Sequence, residues 1–140
     1  MIQLWMMDEL KRELSHLKWT IGQYTASDHT GTVYYEGGRS PAKTETRMRL
    51  PNFMVWIRSS DWEYAEYAAQ KTFDLFHMRG QDGRFEIQIE QEVKDEVWRE
   101  RYLVFLMSAI QDPIDMGVVD NINTWSINFD VELIKLEEAI

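Results

Sequence analysis

Between Leu4 and Leu17 the apolar residues Leu4, Met7, Leu10, Leu14 and Leu17 recur every three or four positions, while Asp8, Lys11, Arg12 and Glu13 fall mostly elsewhere. Residues so spaced share one side of a helix, and the pattern predicts an amphipathic helix over about residues 3–18. Trp19 to Tyr24 reads as a short strand, Thr25 to Thr32 as a turn-rich loop, and Val33 to Tyr35 as a second strand ended by Gly37 and Gly38. In Asn52 to Arg58, Phe53, Val55 and Ile57 alternate with Met54 and Trp56. Both alternations are apolar, which predicts a central strand covered on two faces.

The next segment predicts a helix over about residues 60–78. Ser60 followed by Glu63 fits a capping box, Asp61 places negative charge at the positive end of the helix dipole, and Trp62, Ala65, Ala69, Phe73 and Phe76 form an apolar seam. Arg79 to Arg84 is a turn by its glycines and Asp82. Beyond it Phe85, Ile87 and Ile89 alternate with Glu86, Gln88 and Glu90, the pattern of a strand with one wet face, and a polar stretch follows to Arg101. Tyr102 to Ile110 is a nine-residue apolar run that fits a buried strand, although periodicity alone also admits a helix. Pro113 and Gly117 punctuate the connection to a last strand, in which Trp125, Ile127, Phe129, Val131 and Leu133 alternate with polar residues.

Two helices and about five strands, without a regular βαβ alternation, predict an α+β domain: a mostly antiparallel or mixed sheet with two main helices packed on it. No repeat or break in composition divides the 140 residues, so residues 1–140 read as a single domain. The net charge of −9 argues against general phosphate-backbone binding and against adhesion to an anionic membrane. The N-terminal apolar run meets Asp8 and Glu9 too early for a leader or a span, and a soluble protein that stays where it is made is expected.

Little in the chain resembles catalytic chemistry. Without Cys there is no thiolate ligand or nucleophile. His16, His29 and His77 sit in separate segments and form neither HxH nor HExxH; Ser108 has no GxSxG elbow; Gly37-Gly38-Arg39 has neither dinucleotide nor Walker spacing. Asp112, Asp115 and Asp120 surround Pro113 and Gly117, yet lack the spacing and closing Glu of a calcium loop. No catalytic residue, metal ligand or cofactor is therefore assigned.

What stands out is the segment from about residue 37 to 51, a polar arm between two strands. Arg39, Lys43, Arg47 and Arg49 oppose the single Glu45, whereas the chain from Ile110 onward carries seven acids against Lys135. A solvated loop and an acidic terminus account for these charges. They equally suit a head-to-tail interface, in which unlike patches on neighbouring copies meet. Arg39, Lys43, Arg47, Arg49, Asp112, Asp115 and Asp120 are the candidate interface residues. Trp5, Trp56 and Trp98 do not all fit a core of this size, and aromatics of that kind suit interface anchors.

The order YYEGGRSP, a loop, LPNFMVWIRSSDWEYAEYAAQKTFDLFH, then YLVFLMSAIQDPIDMGVVDN and WSINFDVEL resembles the minor capsid or tail terminator proteins of tailed bacteriophages and prophages. The positions that carry the resemblance are Gly37, Gly38, Arg39 and Pro41; Phe53, Val55, Ile57 and Arg58; Asp61, Trp62 and Ala65; Pro113 and Gly117; Asn128 and Phe129. It covers the chain from about residue 33 onward, and the acidic insert from Glu90 to Glu100 departs from it. The resemblance implies a non-enzymatic virion protein of the tail or neck, assembled in the cytoplasm of a bacterial host. It implies a homo-oligomeric ring of about six subunits that caps the tail tube, with the tail tube protein and the head–tail connector as partners and no membrane. DNA would pass through its lumen without specific binding, which an acidic wall favours because it repels phosphate. Another head–tail connector or completion protein, or a small ligand-binding or enzymatic α+β domain, are the alternatives.

Overall fold

The structure, a computed structural model, describes residues 1–23, 27–40 and 47–136. Along the chain it runs α1 (Ile2–Glu13), β1 (Lys18–Ile21), β2 (Thr30–Tyr35), β3 (Met48–Arg49), β4 (Asn52–Ser59), α2 (Trp62–Phe76), β5 (Phe85–Val93), β6 (Glu96–Ala109), β7 (Ile114–Val119) and β8 (Ile122–Leu136). The strands form one mixed sheet in the order β1-β2-β4-β8-β6-β5, with β3 and β7 also paired to β8. Among the described strands only β1 and β2 pair in parallel. This is the expected α+β class.

Both helices pack on one face of a curled sheet. α2 lies over β4, β8 and β6 in the middle, while α1 touches β1 and β2 near one edge and β5 at the other. The curl is what lets α1 reach both. Trp5 of α1 meets Phe85 of β5 at 5.7 Å and Phe76 of α2 at 6.0 Å between ring centroids, and the Arg79 guanidinium lies over the Trp5 ring. The buried core beneath the helices is built from one parity of each strand: Val33; Phe53, Val55 and Ile57; Ile87 and Ile89; Ile127, Phe129, Val131 and Leu133. The opposite parity of β4 and β8, with Met54, Trp56, Asn128 and Asp130, is half-buried, so β4 is not enclosed equally on both faces.

Several boundaries differ from expectation. α1 ends at Glu13, and Leu14 and Leu17 are buried outside the helix; the Trp19 indole N–H donates to the Leu14 carbonyl (3.0 Å), satisfying an end group that the helix leaves open. Trp19 lies across Gly31 on β2, where an added Cβ would meet its ring at 2.4 Å. The N-cap of α2 is Asp61, whose carboxylate accepts the Tyr64 N–H (3.1 Å), and not Ser60, whose own N–H donates to Asp28 (2.7 Å). Trp62, expected in the core seam, is 51% exposed, whereas Ala65, Ala68, Ala69, Thr72 and Phe76 face inward. The small residues Ala65, Ala68, Ala69 and Thr72 let the helix lie close on the sheet.

The strands missed by periodicity are those with two wet faces. The polar stretch after Glu90 continues β5 and opens β6, joined at Lys94-Asp95, where both residues have positive φ (49° and 68°) as a tight two-residue hairpin requires. Its outward face is laced by Arg99 to Glu90 (3.1 Å) and Arg101 to Glu86 (2.6 Å). β7 and β8 form a second such hairpin through Asp120-Asn121 (φ 52° and 65°), so the segment around Gly117 is a strand rather than a plain connection. In the apolar run of β6 a bulge between Val104 and Leu106 reverses the parity: Tyr102 and Val104 face the core before it, Met107 after it. A run with no period, apolar at every position but Ser108, is the consequence.

The return leg of the expected arm is also structured. β3 pairs Met48 with Ile134 and Arg49 with Leu133, and the Arg39 N–H donates to the Leu50 carbonyl (2.9 Å), closing the base of the arm. Gly38 (φ 103°) stands so close that a Cβ would meet the Leu50 oxygen at 2.2 Å. Lys43 lies outside the described residues.

Candidate functional site

Beside this base lies a cleft of about 340 Å³ between α1, the ends of β2 to β4, β6 and the far end of β8. Its floor is apolar and buried, formed by Phe53, Tyr102 and Leu133, and its mouth carries the half-exposed rings of Tyr35 and Trp98. Tyr35 packs on Phe53 with centroids 5.8 Å apart. Arg49 and Lys135, both exposed, bring two cations to the mouth. Trp98 is 42% exposed, while Trp5 and Trp56 are half-buried.

One carboxylate is buried in the wall. Glu100 receives the Tyr102 hydroxyl and the Met1 amino group on its two oxygens. Burial pushes its carboxyl upward, but the amino group and the Tyr102 hydroxyl outweigh it, with Lys135 adding to them, and hold it below the ordinary 4.5. The Tyr102 phenol is pushed upward, first by burial and then by donation to Glu100, against a smaller opposing effect of Arg49. A carboxyl depressed by folding contributes stability above its unfolded value and loses that contribution as pH falls through the folded one. The thermal midpoint of the natural chain is therefore expected to fall more steeply than that of Glu100→Gln below about pH 4.5, so that the two curves converge in acid. Parallel curves from pH 7 to 3 in a calorimetric series would refute the buried pair as its source.

A second cluster joins residues from separate segments. His29 Nδ1 lies 2.8 Å from Ser59 Oγ and its Nε2 is 3.5 Å from Asp28, a serine–histidine–aspartate arrangement. Ser59 is fully buried and its Oγ accepts the Asp61 N–H (3.0 Å), so a substrate carbonyl has no approach to it as folded. The arrangement ties the loop before β2 to the start of α2. His16 reaches the same shallow depression, edge-on to Tyr64 at 5.7 Å. Among the described residues no three His, Cys, Asp or Glu converge as a metal set.

The acidic candidates gather at the other end of β8. Asp112 is exposed in the turn before β7, Asp115 accepts from Gly117 N and Asn123 Nδ2 (both 2.9 Å), and Asp120 forms the hairpin turn. Between them Met116, Val118 and Val119 are exposed, Val119 to 69%. Trp62 explains its exposure here: its indole N–H donates to the Asn121 carbonyl (3.1 Å), pinning the hairpin to α2. Among the described strands nothing pairs with the outer edge of β7. From Ile122 to Lys135 the strand path covers roughly 40 Å at ~3.3 Å per residue. The structure thus brings Arg39 and Arg49 together at one end, with Arg47 exposed just before β3, and keeps them apart from all three aspartates.

Sequence reasoning missed Tyr35, Glu100, Tyr102 and Lys135 as site residues. Pairing of β2, β6 and β8 assembles them, and no local pattern marks that. Compared with protein-family models and with curated proteins, the chain matches none.

Proposed function

We propose that this protein is a structural subunit of a phage tail or neck, a terminator-type protein that closes into a ring, caps the tail tube and meets the head connector. The observation that carries the reading is polarity: a basic, aromatic cleft and an acidic, apolar hairpin occupy opposite ends of one long strand. Such a molecule suits heterologous contacts, and heterologous contacts close into rings when the rotation allows. The ordered resemblance in the sequence adds the tail context, and a tube of stacked rings needs a subunit that copies one ring face and withholds the other. A head–tail completion protein is the near variant.

Light scattering after gel filtration tests the reading, at low salt and at ~0.5 M, where the Debye length is roughly 4 Å. The expected result is a mass near six subunits that falls as salt weakens the charge pairs, together with retention on tail tube protein. A monomer that also fails to bind tail tubes would sink the proposal. The cleft favours a second reading, a ligand-binding domain, because an apolar floor with convergent polar groups at this volume lies at the low end of ligand sites, ~300–1,000 Å³. Titration with small aromatic carboxylates, with saturable binding by a monomer, is the result that would favour it.

A further inference from the structure

The cleft and the hairpin are complementary in each respect that recognition uses. The cleft has an aromatic mouth over an apolar floor and two exposed cations, Arg49 and Lys135; among the described lining residues the one carboxylate, Glu100, is already engaged by the Met1 amino group and Tyr102. The hairpin offers exposed aliphatic side chains beside the exposed carboxylates of Asp112 and Asp120, and no Lys or Arg occurs from Gln111 to Ile134. Val119 and Asp120 are adjacent at its tip, so a tip that buries the first presents the second to the rim. Seating Val119 removes apolar surface from water on both partners, and like-charge contact, which would oppose any arrangement of two copies acid to acid, is avoided.

The two features cannot meet within one chain. β8 holds them roughly 40 Å apart along its path at ~3.3 Å per residue, and Trp62 fixes the hairpin to α2. We propose that the β7–β8 hairpin tip of one copy seats in the cleft of the next, Val119 between Tyr35 and Trp98 and Asp120 against Arg49 and Lys135. The contact deepens the ring reading and rests on it: it names the surfaces through which successive subunits join, and it makes the cleft a subunit socket rather than a small-molecule site.

The absence of cysteine makes the test clean. A chain carrying both V119C and Y35C, oxidised in dilute solution, is expected to give a ladder of covalent multimers on a non-reducing gel, while each single variant gives none. A second measurement does not depend on disulfide geometry. Val119→Asp and Arg49→Glu are each expected to be monomeric by light scattering, and a one-to-one mixture to give dimers and nothing larger, because only one intact hairpin–cleft pair remains. Wild-type mass in both single variants, or a natural chain that is monomeric at every concentration together with a double-cysteine chain that forms no ladder, overturns the contact. Retention of the natural chain on tail tubes separates that outcome from failure of the ring reading itself, since a terminator can join its neighbours elsewhere and still bind the tube.

Discussion

Replacing Arg39 and Arg49 together by Glu is expected to yield a folded monomer that no longer assembles. Both side chains are exposed, and apart from the Arg49 side chain's contact with the Tyr102 hydroxyl the hydrogen bonds that structure their segment are made by backbone, Arg39 N–H to Leu50 and the Met48–Arg49 ladder to β8, which the substitution leaves in place. Folding should therefore be insensitive to it, as surface substitutions usually change stability by less than about 0.5 kcal/mol. Assembly should not be. Two reversals change the local charge by four units beside a partner surface that carries only acids, and like-charge juxtaposition in an interface costs several kcal/mol, or on the order of a thousandfold in affinity. Circular dichroism checks the fold and light scattering the mass. Unchanged assembly would remove the basic segment from the interface, whatever became of the ring.

Phe129→Ala addresses the other end of the scale, the core on which both surfaces depend. Phe129 is fully buried at the middle of β8, opposite Phe53 on β4 and Ala109 on β6, and meets Phe76 of α2 edge-on at 5.5 Å. It is where helix and three strands converge. Truncation removes a large apolar side chain and leaves a cavity that rigid neighbours cannot close, at about 3–5 kcal/mol, against a total stability of ~5–15 kcal/mol for a domain. The urea midpoint is expected to fall by about 1 M or more, taking a slope of ~1–3 kcal/mol/M. Phe129→Leu, closer in volume, should cost well under half as much. A shift in the alanine variant no larger than in the leucine one would show that this contact is not central.

The molecule is unevenly legible in its sequence. Phe129 belongs to the alternation of Trp125 to Leu133, and a strand with one dry face announces itself because burial imposes period two. α2 is equally legible in extent, through its seam of small and aromatic residues, but its cap lies one residue beyond Ser60, at Asp61, because Ser60 is engaged by Asp28, thirty-two positions upstream. In the sequence the ribbon from Glu90 to Glu100 reads as a polar connection. Neither of its faces is dry, so no period exists, and it is held by backbone pairing and by Arg–Glu pairs across the strands.

The local chemistry of this chain determined the two helices, the strands that bury one face and the separation of basic from acidic segments, because each depends on residues a few positions apart. Tertiary pairing decided the rest. Arg39 and Arg49 lie at the opposite end from Asp112, Asp115 and Asp120 because β8 runs between them; Trp62 turned outward because a hairpin carbonyl waits for its N–H; and the cleft exists because β2, β3, β4, β6 and β8 converge on α1. A site assembled from five strands has no signature in any one of them.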